Sequence, residues 1–197
     1  MKKYELTEET VTVYGKTLYR IRAVRDFGSV KTGEFGGYIE KEENLSHFDN
    51  AWVFGNAWVF GNARVYDDAW VCGNARVYDN AWVFGNAWVF GNARVYDDAW
   101  VCGDAKVYGD AWVSGNAEVF NTRHFFVQGP IGSRNGFITF YRTKDNTVEV
   151  RCGCFSGSLQ KFVDRVEETH GGSRYEKEYK LAAELAKVCI RLEGESR

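Results

Sequence analysis

The sequence predicts a mainly β chain: a parallel β-helix solenoid with an N-terminal hairpin cap and a small C-terminal α+β domain. Three observations predict it. A six-residue unit recurs with Ala first and Val third, at Ala51/Val53, Ala57/Val59, Ala63/Val65 and on to Ala117/Val119, twelve units without a slip. Each unit ends in two turn formers, mostly Gly-Asn, Asp-Asp or Gly-Asp. Residues 51–73 recur identically at 81–103, an offset of 30 residues or five units that marks an internal duplication.

The unit reads directly as structure. Ala–x–Val–x alternates with period two, so it is a short strand with Ala and Val on one face. The Gly, Asn and Asp that follow tolerate the backbone angles of a corner. A four-residue strand cannot bury its apolar face alone, but stacked coils can. Small Ala and Val suit a narrow triangular core of three units per coil, so twelve units give four coils, roughly 19 Å at about 4.8 Å per strand. A helix is excluded, because period six places Ala and Val on no single helical stripe.

Residues 1–50 are assigned to a cap and an irregular first coil. Val11 and Val13, then Leu18, Ile21 and Val24 around Gly15-Lys16, predict a hairpin. Ile39 and Leu45 lie twelve and six residues before Ala51 and belong to the irregular coil. Residues 51–120 form the solenoid and 121–197 the C-terminal domain. There Phe137–Arg142 and Thr147–Arg151 read as two strands, and two helices follow. The first starts after Ser158 with Leu159, Phe162, Val163 and Val166 inward, ending near His170. The second runs over about 174–192 with Leu181, Leu185, Val188 and Leu192 inward.

Composition narrows the function. Net charge is −2, from 25 Lys+Arg and 27 Asp+Glu, which weighs against a dedicated nucleic-acid binder. No apolar run approaches a membrane span, and Met1-Lys2-Lys3-Tyr4-Glu5-Leu6 lacks the apolar stretch of a signal peptide, so a cytoplasmic location is expected. Five cysteines point to free thiols. Cys152-Gly153-Cys154 is too close for a zinc knuckle and has no second pair, and no metal site or cofactor is expected.

The outward positions carry the candidate chemistry. All seven tryptophans take second positions: Trp52, Trp58, Trp70, Trp82, Trp88, Trp100 and Trp112. Arg64, Arg76, Arg94, Lys106 and Glu118 fill the rest. Fourth positions add nine aromatics, Phe54, Phe90 and Tyr108 among them, so sixteen aromatics are expected outside. Three readings are open: ladders that only stabilise neighbouring coils, self-association as a dimer or trimer, and a surface for another protein, a glycan or nucleobases. With three units per coil, Trp52, Trp70, Trp88 and Lys106 share the most apolar face and form the favoured interface. Trp58, Arg76, Arg94 and Trp112 share the second. Five units is not a multiple of three, so the duplication moves each copied residue to another face, which argues against a catalytic site in the repeat. Gly129–Gly136 reads first as a linker, although Gly132, Ser133 and Arg134 could hold an anion.

The unit resembles the hexapeptide repeat of left-handed parallel β-helix proteins, whose best-known members are acyltransferases. An aliphatic residue is followed four positions later by a small one, as Val53 is by Ala57, although Phe54, Tyr66 or Cys72 stands where that family has Gly. Ala23–Gly33, Gly36-Gly37-Tyr38-Ile39 and Asn44-Leu45-Ser46 resemble the lead-in of a bacterial and prophage hexapeptide-repeat family. Phe140–Asp145 and Cys152–Phe155 are similar to the tails of its phage members. The resemblance implies a left-handed solenoid and a phage or prophage protein. On that basis a non-catalytic binding or scaffold protein is expected, one that inhibits a host process or defence component. An acyltransferase is the alternative, but it needs a histidine base projecting from a coil, and residues 51–120 contain none. His47, His124 and His170 read as surface or packing residues. A glycan- or nucleotide-binding module is the third expectation.

Overall fold

The computed structural model describes residues 2–193. Met1 and residues 194–197, which the sequence reading places in the cap and the C-terminal domain, lie outside them.

The chain opens with a hairpin, β1 (Tyr4–Val13) and β2 (Lys16–Ala23), turning at Tyr14-Gly15 where both residues have positive φ. β3 (Phe35–Ile39) pairs antiparallel with β2 and parallel with the first coil. Gly36 and Gly37 make that seam possible: a Cβ on them would meet the Val53 and Ala57 carbonyls at 2.6 and 2.5 Å. Twelve two-residue strands, β4 to β15, follow at one per unit from Trp52–Val53 to Glu118–Val119. Each of the first nine pairs in parallel with the strand 18 residues on, as Trp70 with Trp88 and Arg76 with Arg94.

The solenoid is therefore three-sided. Trp52, Trp70, Trp88 and Lys106 line one sheet and Arg64, Trp82, Trp100 and Glu118 another. The third carries Trp58, Arg76, Arg94 and Trp112 and continues through β3 into the hairpin, seven strands in all. Trp52 and its duplicate Trp82 lie in different sheets, as a five-unit offset requires. Every repeat Ala and Val is buried in one continuous core. Ile39 and Leu45 pair with Val59 and Val65, opening a fifth turn before the four regular coils.

The corners explain the fifth and sixth residues of the unit. Fifth positions are left-handed throughout, from Gly55 to Gly115, and Asp67, Asp79 and Asp97 adopt φ of 56–57° there. Asp67 and Asp97 return something for that strain: their carboxylates accept the amides of Gly85 and Gly115, one coil on, at 3.0 and 3.2 Å. Sixth positions form amide ladders, Asn62 to Asn80 to Asp98 and Asn74 to Asn92 to Asp110, at 3.0–3.2 Å per step.

The C-terminal region differs from expectation. It has four antiparallel strands, β16 (Phe125–Ile131), β17 (Gly136–Arg142), β18 (Val148–Cys152) and β19 (Phe155–Ser158), where two were expected. Glycine and proline in β16 conceal its strand character. Helix α1 (Leu159–His170) starts at Ser158, whose hydroxyl accepts the Lys161 amide. Helix α2 (Arg174–Cys189) presents a different face from the one expected. Tyr179, Ala182, Ala183, Ala186 and the following Ile190 are buried, while Leu181, Leu185 and Val188 are 71, 47 and 79% exposed. Alanine on the inner stripe allows α2 to lie close on the sheet, and choosing the larger aliphatics selected the wrong stripe.

This unit closes the far end of the solenoid. Phe125 and Tyr141 join the solenoid core, and the Thr139 hydroxyl accepts the Trp112 amide at 3.0 Å. Buried Arg142 ties the junction, reaching Glu118 at 2.6 Å, Glu193 at 2.9 Å and Asn146 at 3.2 Å.

Candidate functional site

The outward aromatics stack in columns. Trp70 lies on Trp88 with ring centroids 5.4 Å apart, and Trp82 lies on Trp100 at 5.5 Å, both nearly parallel. Phe60, Tyr78 and Tyr96 form a column at 5.0 Å per step. Cations stand where the tryptophans stop: Arg76 over Trp58 at 4.4 Å, Arg94 over Trp112 at 4.7 Å and Lys106 over Trp88 at 5.4 Å. Such contacts hold neighbouring coils together.

Not all sixteen aromatics are outside. Trp52 is fully buried, packed edge-on by Phe27 at 5.2 Å and Tyr4 at 6.0 Å. The cap folds over the first tryptophan of its column, so Trp52 cannot serve as an exposed binding residue. Phe60 and Tyr96 are also buried. Phe54 packs on Trp70 at 4.8 Å and is half-buried. On the same side Trp88 and Tyr108 remain 41 and 46% exposed, with Phe90 stacked on Tyr108 at 5.6 Å.

A second site emerges where the solenoid meets its C-terminal cap. A cleft of about 670 Å³ lies between the last coils of the seven-stranded sheet, β17 to β19 and α1. Arg94 enters from the solenoid, Arg134 from the β16–β17 turn, Arg151 from β18 and Arg165 from α1. Trp112, Phe137 and Phe155 give it aromatic walls. Among the described residues, Asp110 is the only carboxylate on its lining, and the Asn92 amide engages it at 3.0 Å. Arg94, Arg134 and Arg151 form no ion pair among the described residues. Arg151 donates instead to the Tyr96 hydroxyl at 2.7 Å, while Arg165 meets the exposed Glu168 at 3.3 Å.

The structure thus brings Arg94 together with Ser133 and Arg134, which the sequence placed on unconnected segments. The glycine loop is not an open anion cradle. Gly132 is buried, its amide donates to the Glu178 carboxylate at 2.7 Å, and a Cβ there would collide with the Tyr179 ring. Arg151 and Arg165 were missed, because nothing in the repeat period says that the tail folds back beside the seven-stranded sheet.

His47 and His124 are packing residues, whereas His170 lines the cleft, its ring 5.6 Å from that of Tyr179. His47 stacks on Tyr4 at 4.2 Å and accepts the Lys3 amide at 3.2 Å. His124 is buried against Phe120 and bonded to Asn121 at 2.9 Å. Burial lowers both pKa values, and Arg142 adds to the effect at His124. Cys72 and Cys102 lie in columns of different sheets, and burial raises their pKa values, to about 11 for Cys102. Among the described residues no group of three His, Cys, Asp or Glu could hold a metal ion, and no helix is long and apolar enough to cross a membrane.

Eighteen-residue coils with a cap at each end define a β-solenoid repeat protein. Its repeats are similar to the YdcK β-solenoid repeat, whose family model matches residues 57–73, 69–85, 75–89 and 87–103. These matches lie within the regular coils and span about a quarter of the chain. No curated protein matches the chain.

Proposed function

We propose that this chain is a non-catalytic binding protein whose working surface is the arginine-lined cleft, with an anionic ligand as its occupant. One observation carries the reading: three guanidiniums without ion-pair partners among the described residues converge on a cavity of about 670 Å³, in a chain whose net charge is −2. Cavities of this size suit small ligands, and guanidinium forks match phosphate and carboxylate geometry. The ladder arginines are already engaged by tryptophan, whereas Arg134 is exposed and has no hydrogen-bond partner among the described residues. Titration of the purified chain with inorganic pyrophosphate tests the reading. Saturable binding lost in Arg134→Ala supports it, and no binding by the wild type overturns it.

The wider setting rests on the resemblance of the lead-in and tail residues: a phage or prophage protein in the host cytoplasm that withholds its ligand from, or blocks, a host defence component. The hexapeptide acyltransferase alternative requires His47 or His124 to act as base, and both are committed to packing. Acyl transfer from acetyl coenzyme A that disappears in His47→Ala or His124→Ala would restore it. A second reading keeps the first sheet as a contact for a partner protein or another copy of the chain, as dimer or trimer. Exposed Trp88 and Tyr108, beside Trp70 and Lys106, favour it. Sedimentation of the wild type against Trp88→Ser tests the self-association arm, with a shift to monomer expected.

A further inference from the structure

We infer that the cleft takes a nucleotide, a planar base joined to phosphate, rather than an aliphatic anion. This inference rests on the anion-binding reading above and specifies its ligand.

The argument is the division of chemistry across the cleft. Its solenoid wall is Trp112 with the Arg94 guanidinium held 4.7 Å over the ring, so an aromatic ring and a cation meet the cleft side by side. Such surfaces accept nucleobases, since bases stack on aromatic rings and on guanidinium planes alike. The C-terminal cap lines the cleft as well, and there Phe155 of β19 and Phe137 of β17 supply further ring surface. A carboxylate or free phosphate would leave these rings unused, while a base would stack on them.

The remaining arginines are placed for the charged part. Arg134 lies on the exposed turn between β16 and β17, and Arg165 of α1 lines the same cleft. Arg151 donates to the hydroxyl of buried Tyr96 at 2.7 Å, a contact that fixes its direction without neutralising it. A guanidinium positioned by a neutral partner keeps its full attraction for an anion. Ser133, Thr139 and Thr169 also line the cleft, and their hydroxyls are available to sugar or phosphate, although the Thr139 oxygen already accepts the Trp112 amide. The volume fits a mononucleotide or dinucleotide and is small for a folded nucleic acid.

Calorimetric titration separates this inference from the reading beneath it. The full chain is titrated with adenosine and guanosine 5′-monophosphates, ribose 5-phosphate, inorganic pyrophosphate and a single-stranded oligonucleotide. A nucleotide should bind at least roughly tenfold more tightly than ribose 5-phosphate, the difference expected for one stacked base. Arg134→Ala should weaken the nucleotide about tenfold or more, as loss of a charge-assisted contact does. Phe155→Leu should remove the preference for nucleotide over ribose 5-phosphate, and Arg123→Ala, outside the cleft, should change nothing. Equal binding of nucleotide, ribose 5-phosphate and pyrophosphate overturns the nucleotide inference and leaves the anion reading standing. Absence of binding by every anion overturns both. Preference for the oligonucleotide over all mononucleotides overturns the small-ligand inference in favour of a nucleic-acid end.

Discussion

At the scale of single residues, two buried groups near the C-terminal seam make the account testable. Arg142 is almost wholly buried and bridges Glu118 on the last coil to Asn146 and Glu193. Arg142→Ala should cost about 3 kcal/mol in denaturant unfolding, because Glu118 is left without its partner at a closed interface. His124 gives a pH signature. Its folded pKa lies below the ordinary 6.5, chiefly through burial, so the unfolded chain takes up a proton first as pH falls. The stability it contributes is complete above pH 6.5 and is lost as pH drops below that value. His124→Gln should therefore be less stable than the wild type at pH 7.5, with the gap narrowing towards pH 5. A gap that widens would mean that the folded state holds a charged imidazole.

At the scale of elements, the repeat was legible and the helix packing was not. Ala and Val at positions one and three fixed the buried face of all twelve strands, because a period of two leaves no other solution. In α2 the stripe Leu181, Leu185, Val188 competes with Tyr179, Ala182, Ala183, Ala186. Hydrophobicity favours the first, but close approach to the sheet requires the small residues of the second. Ala183→Leu should accordingly cost about 1–3 kcal/mol through overpacking. Leu181→Gln should stay within about 0.5 kcal/mol. Along the ladders, Arg76→Ala should lose about 0.5–1 kcal/mol with its contact to Trp58, measurable by urea unfolding. The same rule explains how Trp52 was misplaced: alternation puts it outward, and only the cap folding over it makes it core.

At the scale of the molecule, the coil of 18 residues is the unit of change. Deleting residues 75–92 removes one whole coil and should give a folded chain with a lower melting temperature, since one coil interface is lost and every sheet stays in register. Deleting residues 75–80 moves each later strand to the next sheet and should prevent the C-terminal cap from docking, seen as loss of cooperative melting by circular dichroism. The cleft belongs to this scale as well. Arg94 and Arg134 could be nominated from the sequence, but their meeting with Arg151 and Arg165 depends on where the tail folds back, which no local pattern encodes.

The central claim is that the arginine cleft is an anion site, and the most direct measurement is where an anion settles. Crystals soaked in tungstate, with its position read from anomalous scattering, should show the ion between Arg94, Arg134 and Arg151, and an empty cleft in Arg134→Ala. Tungstate scattered over exposed arginines elsewhere, with none in the wild-type cleft, would contradict the account.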